Sequence, residues 1–237
     1  MLRSLNEIYG NRLAATDGEI GHVRDFYFED RTWVTRYLVA DTGSWLPGRQ
    51  VLLSPHSIGR LDQVDKLLHV KLTRAQIENS PSIATRKPVS RQYEEDYYRH
   101  HGLPTYWQGS GLWGQGDFPI LDTSPDRPDI ELDAVTGLPW KRPEAHLRST
   151  RAVQGYLLVG TDGTLGHVCD FMIDAHSWAI GQLAIKTGHR LSGEEMLIPT
   201  KVVDQVSYED STIFVKLTLE AMGKHPARDF PATLLVP

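Results

Sequence analysis

Apolar and polar residues alternate along much of the chain. Leu68, Val70 and Leu72 occupy every second position of one segment, and Leu38 and Ala40 do the same in another. This period of two is typical of strands that bury one face. Asp-Gly pairs and other glycines interrupt the pattern as turns would. The alternation and the turns together predict strands near residues 12–16, 20–28, 34–42, 49–54, 57–62 and 67–72.

The whole pattern occurs twice. Shifting the chain by 145 positions aligns residues 2–73 with 147–218 without a gap, and about 25 residues in these segments are identical. The longest shared motif is T-D-G-x-x-G-H-V-x-D-F, at 16–26 and again at 161–171. The second copy is therefore predicted to form the same strands, each 145 residues later. Because the unit is longer than solenoid repeats of roughly 20–50 residues, we expect each copy to have its own core.

Many short, evenly spaced strands favour a small closed sheet, since closure removes exposed edge strands. The fold class predicted is mainly β, with two tandem small antiparallel β-barrels related by the internal repeat. Ser4 with Glu7, and Thr73 with Gln76, have the spacing of capping boxes and predict short flanking helices. The predicted divisions of the chain are domain 1 at 1–79, a connecting segment at 80–146, domain 2 at 147–222 and a tail at 223–237.

The connecting segment contains eight of the 14 prolines, which argues against a long helix or a continuous sheet. One helix is nevertheless predicted near 90–101, with acidic residues early, basic residues late and Gly102 as its stop. Tyr93, Tyr97 and Tyr98 share a face of this helix and should dock on a barrel. The segment is therefore expected to pack across one or both barrels.

Composition and charge exclude several classes of protein. The 237 residues have 25 Lys and Arg against 30 Asp and Glu, a net charge of −5, and no local basic excess that would favour nucleic acid. The single Cys169 cannot form an intramolecular disulfide and favours a reducing, cytoplasmic location. No apolar run approaches the ~18 residues of a membrane span, so we expect no transmembrane segment. Peripheral membrane contact stays open.

Several motifs invite a catalytic or metal interpretation. Asp17, His22 and Asp25 recur at equivalent positions in the second copy, but turn geometry and packing explain them more simply. The run Gly109–Gly114 matches G-x-G-x-x-G, yet lacks the preceding strand and following helix of a dinucleotide site.

Other groups could bind a metal ion. The candidates are His100 and His101 with His146, and the acidic residues between Asp122 and Asp133. Adjacent helical histidines diverge, and the acidic stretch lacks the spacing of a calcium loop. We expect no catalytic residues, no cofactor and no metal.

Three segments of the first copy carry a resemblance to a known family: T-D-G-E-I-G-H-V-R-D-F (16–26), R-Y-L-V-A-D-T-G-S-W-L-P-G (36–48) and V-L-L-S-P (51–55). Through these segments, and more weakly through the second copy, the chain resembles the PRC-barrel family. The family is named after the cytoplasmic domain of the photosynthetic reaction centre H subunit and includes the barrel of the ribosome maturation factor. The resemblance implies two small β-barrels that act in interaction or assembly, and it is specific for fold rather than for role.

The leading expectation is a non-enzymatic module that binds a protein partner, with a homo-oligomer also possible. Aromatic residues outside the repeated core are the candidate contacts, since binding hot spots favour aromatics. They are Trp33, Trp45, Leu46, Trp107, Trp113 and Trp178. Each could instead fill a barrel end or join the two copies. The alternative is a photosynthesis-associated protein like the H subunit, or a small-ligand-binding protein that uses the cleft between the barrels.

Overall fold

The computed structural model describes residues 2–81, 89, 91–120, 147–187 and 195–223, and its fold is mainly β. Three groups named above fall outside the described residues: His146, the acidic residues from Asp122 to Asp133, and nearly all of the predicted tail. No helix in the described part of the chain is long and apolar enough to cross a bilayer.

Two sheets of seven strands form the body of the protein. The strands of the first repeat are β1 (Leu2–Ser4), β2 (Arg12–Ala15), β3 (Gly18–Glu29), β4 (Val34–Asp41), β5 (Gln50–Leu53), β6 (Ile58–Asp62) and β7 (Leu67–Val70). Those of the second repeat are β8 (Leu147–Ser149), β9 (Leu157–Val159), β10 (Thr164–Asp174), β11 (Ile180–Thr187), β12 (Glu195–Pro199), β13 (Val203–Ser207) and β14 (Thr212–Val215). Apart from β1 and β8, every strand lies close to its predicted position.

Strand pairing differs from the predicted closed antiparallel barrels. The first sheet has the order β5-β4-β3-β2-β7-β6 and the second has the equivalent order β12-β11-β10-β9-β14-β13. Within the described residues the two end strands of each sheet are not hydrogen-bonded to each other, so pairing leaves both sheets open. Each sheet also contains one parallel pair, β2 with β7 and β9 with β14. The prediction of purely antiparallel strands is wrong at these two pairs.

The two repeats exchange their first strands. Strand β1 pairs with β10 of the second sheet, and β8 pairs with β3 of the first. The registers are equivalent: Leu2 lies opposite Asp174, and Leu147 lies opposite Glu29. Each sheet therefore consists of six strands from one repeat and one from the other.

The recurring aspartates hold the exchanged strands in place. Asp170 accepts hydrogen bonds from the Ser4 hydroxyl and from the Asn6 backbone N–H, the latter at 3.1 Å. Asp25 accepts equivalent bonds from the Ser149 hydroxyl at 2.5 Å and from the Arg151 backbone N–H at 3.2 Å. Both carboxylates of the repeated D-F motif thus anchor the chain of the opposite repeat.

The main hydrophobic core extends through both repeats. Leu13, Phe26 and Leu38 of the first repeat belong to the same buried cluster as Phe171 and Leu183 of the second. The expectation that each copy has its own core is therefore wrong, because the exchanged strands bring the inner faces of the two sheets together.

Within the described residues four α-helices accompany the sheets: α1 (Arg74–Glu78), α2 (Arg91–His101), α3 (Thr150–Val153) and α4 (Leu219–Gly223). The predicted capping box of Thr73 and Gln76 is confirmed at the start of α1. In the first repeat Ser4 accepts the Glu7 backbone N–H, but the predicted helix is only a turn there.

Helix α2 is confirmed and docks on the outer face of the first sheet. Tyr97 and Tyr98 are buried against Tyr37 and Val39 of β4 in a second apolar cluster. Strand β4 is consequently buried on both faces, whereas Gly181 and Lys186 of the equivalent β11 are exposed. The described part of the connecting segment thus covers the first repeat.

Candidate interaction surface

Trp33 and Trp178 lie at the junction of the two repeats. Both residues have a positive φ, of 56° and 60°. The Thr35 N–H donates to the Trp178 carbonyl at 2.8 Å, and the Ile180 N–H donates to the Trp33 carbonyl at 2.7 Å. Trp33 is buried and stacks on Phe28, with ring centroids 5.2 Å apart. The structure therefore gives these two candidates a role in joining the repeats.

Trp113 attaches the connecting segment to the sheets. It is buried, and its indole N–H donates to the Ser177 carbonyl of the second repeat at 2.7 Å. The guanidinium of buried Arg36 lies 5.0 Å from the Trp113 ring and 3.8 Å from the Tyr106 ring. Trp113 is thus a packing residue rather than an exposed contact.

Arg36 is the main polar anchor beneath the connecting segment. Its Nη2 lies 2.6 Å from Glu29 Oε2, and its Nη1 donates to the Leu112 carbonyl at 2.5 Å. Both side chains of the ion pair are almost completely buried. The second repeat has Gly181 in place of Arg36, so this anchor exists only in the first repeat.

A buried histidine completes the same interface. His56 hydrogen-bonds Ser54 through Nδ1 at 3.0 Å and meets the Trp113 ring edge-on, with centroids 5.0 Å apart. Burial, and then the positive charges of Arg36 and Lys71, lower the pKa of His56 to about 4. His56 is therefore neutral at physiological pH, as its apolar surroundings require.

Trp45, Leu46 and Trp107 are partly exposed. Trp45 packs against the main core, and the Arg74 guanidinium lies 4.9 Å from its ring. Trp107 packs against the cluster beneath α2. Trp45 and Leu46 are neighbours in the turn between β4 and β5, whereas Trp107 lies in the connecting segment and packs against a different cluster.

The motifs weighed for chemistry have structural partners. Asp17 accepts the first N–H of α1 at 2.8 Å, and Asp162 accepts that of α4 at the same distance. A Cβ on Gly21 would lie 1.9 Å from the Asp41 carbonyl oxygen, which explains why glycine recurs there. Residues 109–116 form a loop held by the Gly111 N–H, which donates to the Gly114 carbonyl at 2.8 Å.

Two further features bear on chemistry: the thiol of Cys169 and the arrangement of possible metal ligands. Burial raises the pKa of the Cys169 thiol to about 11, and nearby carboxylates act in the same direction. A thiol in this environment stays protonated and is a poor nucleophile. Among the described residues, no three His, Cys, Asp or Glu side chains come together as a metal site.

The outer face of the second sheet around β9 and β14 is a different kind of surface. Leu157 is 48% exposed and Phe214 is 38% exposed, while the alternate residues Leu158 and Ile213 are fully buried. In the strand register Leu157 lies beside His167, and Phe214 lies between Val159 and Gln205. We call this surface the Leu157–Phe214 face; its members are Leu157, Val159, Thr164, His167, Gln205, Ser207 and Phe214.

The equivalent face of the first repeat is charged. Arg12 forms an ion pair with Glu19 at 2.8 Å, and Arg60 forms one with Asp62 at 3.7 Å. The second repeat replaces these four residues, in the same order, with Leu157, Thr164, Gln205 and Ser207, and it replaces His69 with Phe214. Two ion pairs are thus exchanged for an uncharged and partly apolar surface on the same backbone. The exposed pair Asp204–Lys216, at 2.8 Å, joins the residue before Gln205 to the second residue after Phe214.

The composition of this face resembles the centre of a protein interface, where charged residues are depleted and a polar rim surrounds apolar contacts. None of the six residues predicted as contacts from their aromatic or apolar character belongs to this face. The alignment of the repeats contained the signal, since it places Phe214 opposite His69 and Leu157 opposite Arg12.

Comparison with models of known protein families and with curated proteins gives no match to this chain.

Proposed function

We propose that the chain is a non-enzymatic interaction module that binds another protein through the Leu157–Phe214 face. The observation that carries the proposal is the loss of both ion pairs at this face in the second repeat alone. Surface Leu and Phe do not improve the core, because their alternate neighbours already fill it. A partner with apolar side chains would remove Leu157 and Phe214 from water and would leave no buried charge unpaired.

We also propose that the chain is a PRC-barrel protein of the reducing cytoplasm. The repeated T-D-G-x-x-G-H-V-x-D-F motif supports the family. The end strands β5 and β6 support barrel-like curvature, since Val51 and Ile58 join the same core as Leu13 of the middle strand β2. The single, partly buried Cys169 supports the compartment.

The proposed surface is tested by site-specific cross-linking in the native host. A photoreactive phenylalanine analogue at Leu157 should cross-link to one protein of defined mass. The same analogue at Val64, a 92% exposed residue on a turn of the first repeat, is the matched control and should not. Cross-links from both sites alike, or from neither, contradict the proposal. Cross-links to a second copy of the chain would replace it with self-association.

The cross-linked protein then allows a direct affinity measurement. The variant Leu157→Arg with Phe214→His installs the residues of the first repeat on the same backbone, so it should fold normally. We expect it to bind the purified partner at least tenfold more weakly, as the loss of hot-spot contacts implies. Val64→Arg should bind like the unmodified protein, and equal affinities for all three proteins would contradict the proposal.

A further inference from the structure

A cavity of about 220 Å³ lies where the first residues of the chain meet the turn between β6 and β7. Arg3 contributes from the second sheet, which it joins through β1. Leu61, Gln63 and Lys66 contribute from the first repeat, together with Asn11 and with Ile8 and Glu7. The cavity is therefore at a junction of the two sheets.

The equivalent place in the other repeat is filled. The Arg148 guanidinium lies 3.7 Å from the centre of the Tyr208 ring, and its Nε donates to Asp30 Oδ2 at 3.2 Å. The Tyr208 hydroxyl donates to the same carboxylate oxygen at 3.1 Å. Tyr156 packs against Tyr208, with ring centroids 6.4 Å apart. The guanidinium of Arg148 thus stacks on one aromatic ring and donates a hydrogen bond to one carboxylate.

At the cavity the arginine is retained as Arg3, but the two tyrosines and the aspartate that surround Arg148 are replaced. At the positions equivalent to Tyr208, Tyr156 and Asp30, the chain has Gln63, Asn11 and Ala175. Arg3 Nη1 is buried, and among the described residues it has no hydrogen-bond partner. A buried donor without an acceptor is costly, so the Arg3 guanidinium favours an acceptor with negative charge at this place.

We propose that this cavity binds a small aromatic carboxylate. The ring would occupy the place that the Tyr208 phenol fills in the other repeat, and the carboxylate would take the place of Asp30 and accept from Arg3. Lys66 provides a second positive charge, so Arg3 and Lys66 outweigh Glu7 and favour an anion. A cavity of roughly 150 Å³ can hold one benzene ring, so the space observed suffices for a ring with one carboxylate.

The probe for this site is 4-hydroxybenzoate, which has the ring, the hydroxyl and the carboxylate of the Tyr208–Asp30 pair. Isothermal titration of the full chain should give saturable binding of one ligand per chain. Phenol and cyclohexanecarboxylate, which lack the carboxylate and the planar ring respectively, should each bind at least tenfold more weakly. The absence of saturable 4-hydroxybenzoate binding up to about 1 mM would overturn the proposal.

Rebuilding the filled arrangement gives the decisive variant. Gln63→Tyr combined with Ala175→Asp copies the other repeat, so it should fold and should lose 4-hydroxybenzoate binding. Arg3→Gln should weaken binding at least tenfold, whereas Arg60→Gln, on the neighbouring exposed strand, should leave it unchanged. If the doubly substituted protein is folded by circular dichroism and binds like the unmodified chain, the ligand lies elsewhere and the proposal is wrong.

Discussion

At the scale of single residues, Arg36 decides where the connecting segment docks. Its guanidinium forms an ion pair with Glu29 and donates to the Leu112 carbonyl. The rings of Tyr106 and Trp113 lie against the planar face of the same group. Arginine suits this position because its guanidinium can stack on rings and donate hydrogen bonds in its own plane at the same time. The second repeat has glycine here and cannot bind an equivalent segment in this way.

Replacing Arg36 with Met should lower the free energy of unfolding by about 3–5 kcal/mol, because it leaves the Glu29 carboxylate buried without its cation. Urea unfolding followed by tryptophan fluorescence measures this change. Arg99→Met is the matched control, since the Arg99–Asp96 pair is exposed and should contribute less than about 1 kcal/mol. Adding Glu29→Leu to Arg36→Met should recover part of the loss. Equal effects at Arg36 and Arg99 would show that the buried pair is not an anchor.

At the scale of elements, period-two alternation and turn glycines were enough to place the long strands, and the order of acidic and basic residues before Gly102 was enough to place the helix α2. The strands β1 and β8 could not be predicted, because three residues carry no periodic signal and their partners lie in the other repeat. Trp33 and Trp113 look like binding residues in the sequence, and only their tertiary contacts identify them as packing residues. The Leu157–Phe214 face could have been predicted by comparing the two repeats, in which charged residues of the first are replaced in the second. Aromatic and apolar character alone predicted mainly tryptophans instead.

The docked connecting segment should make stability depend on pH. Burial, and then neighbouring positive charge, lower the pKa values of His56 and His101 to about 4 in the folded protein. The unfolded histidines titrate near pH 6.5. The unfolded chain therefore binds protons that the folded chain does not, and stability should fall as the pH drops from about 6.5 towards 4.

Unfolding in urea at about pH 7 and about pH 5 measures the contribution of His56. The loss between these values should be smaller in His56→Gln than in the unmodified protein, by about 2 kcal/mol. An identical pH dependence in the His56→Gln protein would mean that His56 titrates normally in the folded state.

At the scale of the whole molecule, we expect the repeats to behave as one cooperative body rather than as two independent domains. The exchange of β1 and β8, the reciprocal bonds at Trp33 and Trp178 and the shared core all cross the boundary between the repeats. This arrangement holds the two sheets in a fixed relation. It also creates the junctions where one copy keeps a filled arginine site and the other leaves a cavity.

Native-state hydrogen exchange of Leu183→Ala tests this cooperativity most directly. Leu183 is fully buried in β11, and its truncation should lower the free energy of unfolding by about 2–5 kcal/mol. If the repeats unfold together, the most protected amides of β3 and β4 should lose protection by the same factor as those of β10 and β11. Leu38→Ala, the equivalent change in the first repeat, should give the same result in reverse. Protection that falls only in the repeat carrying the substitution would contradict a single cooperative body.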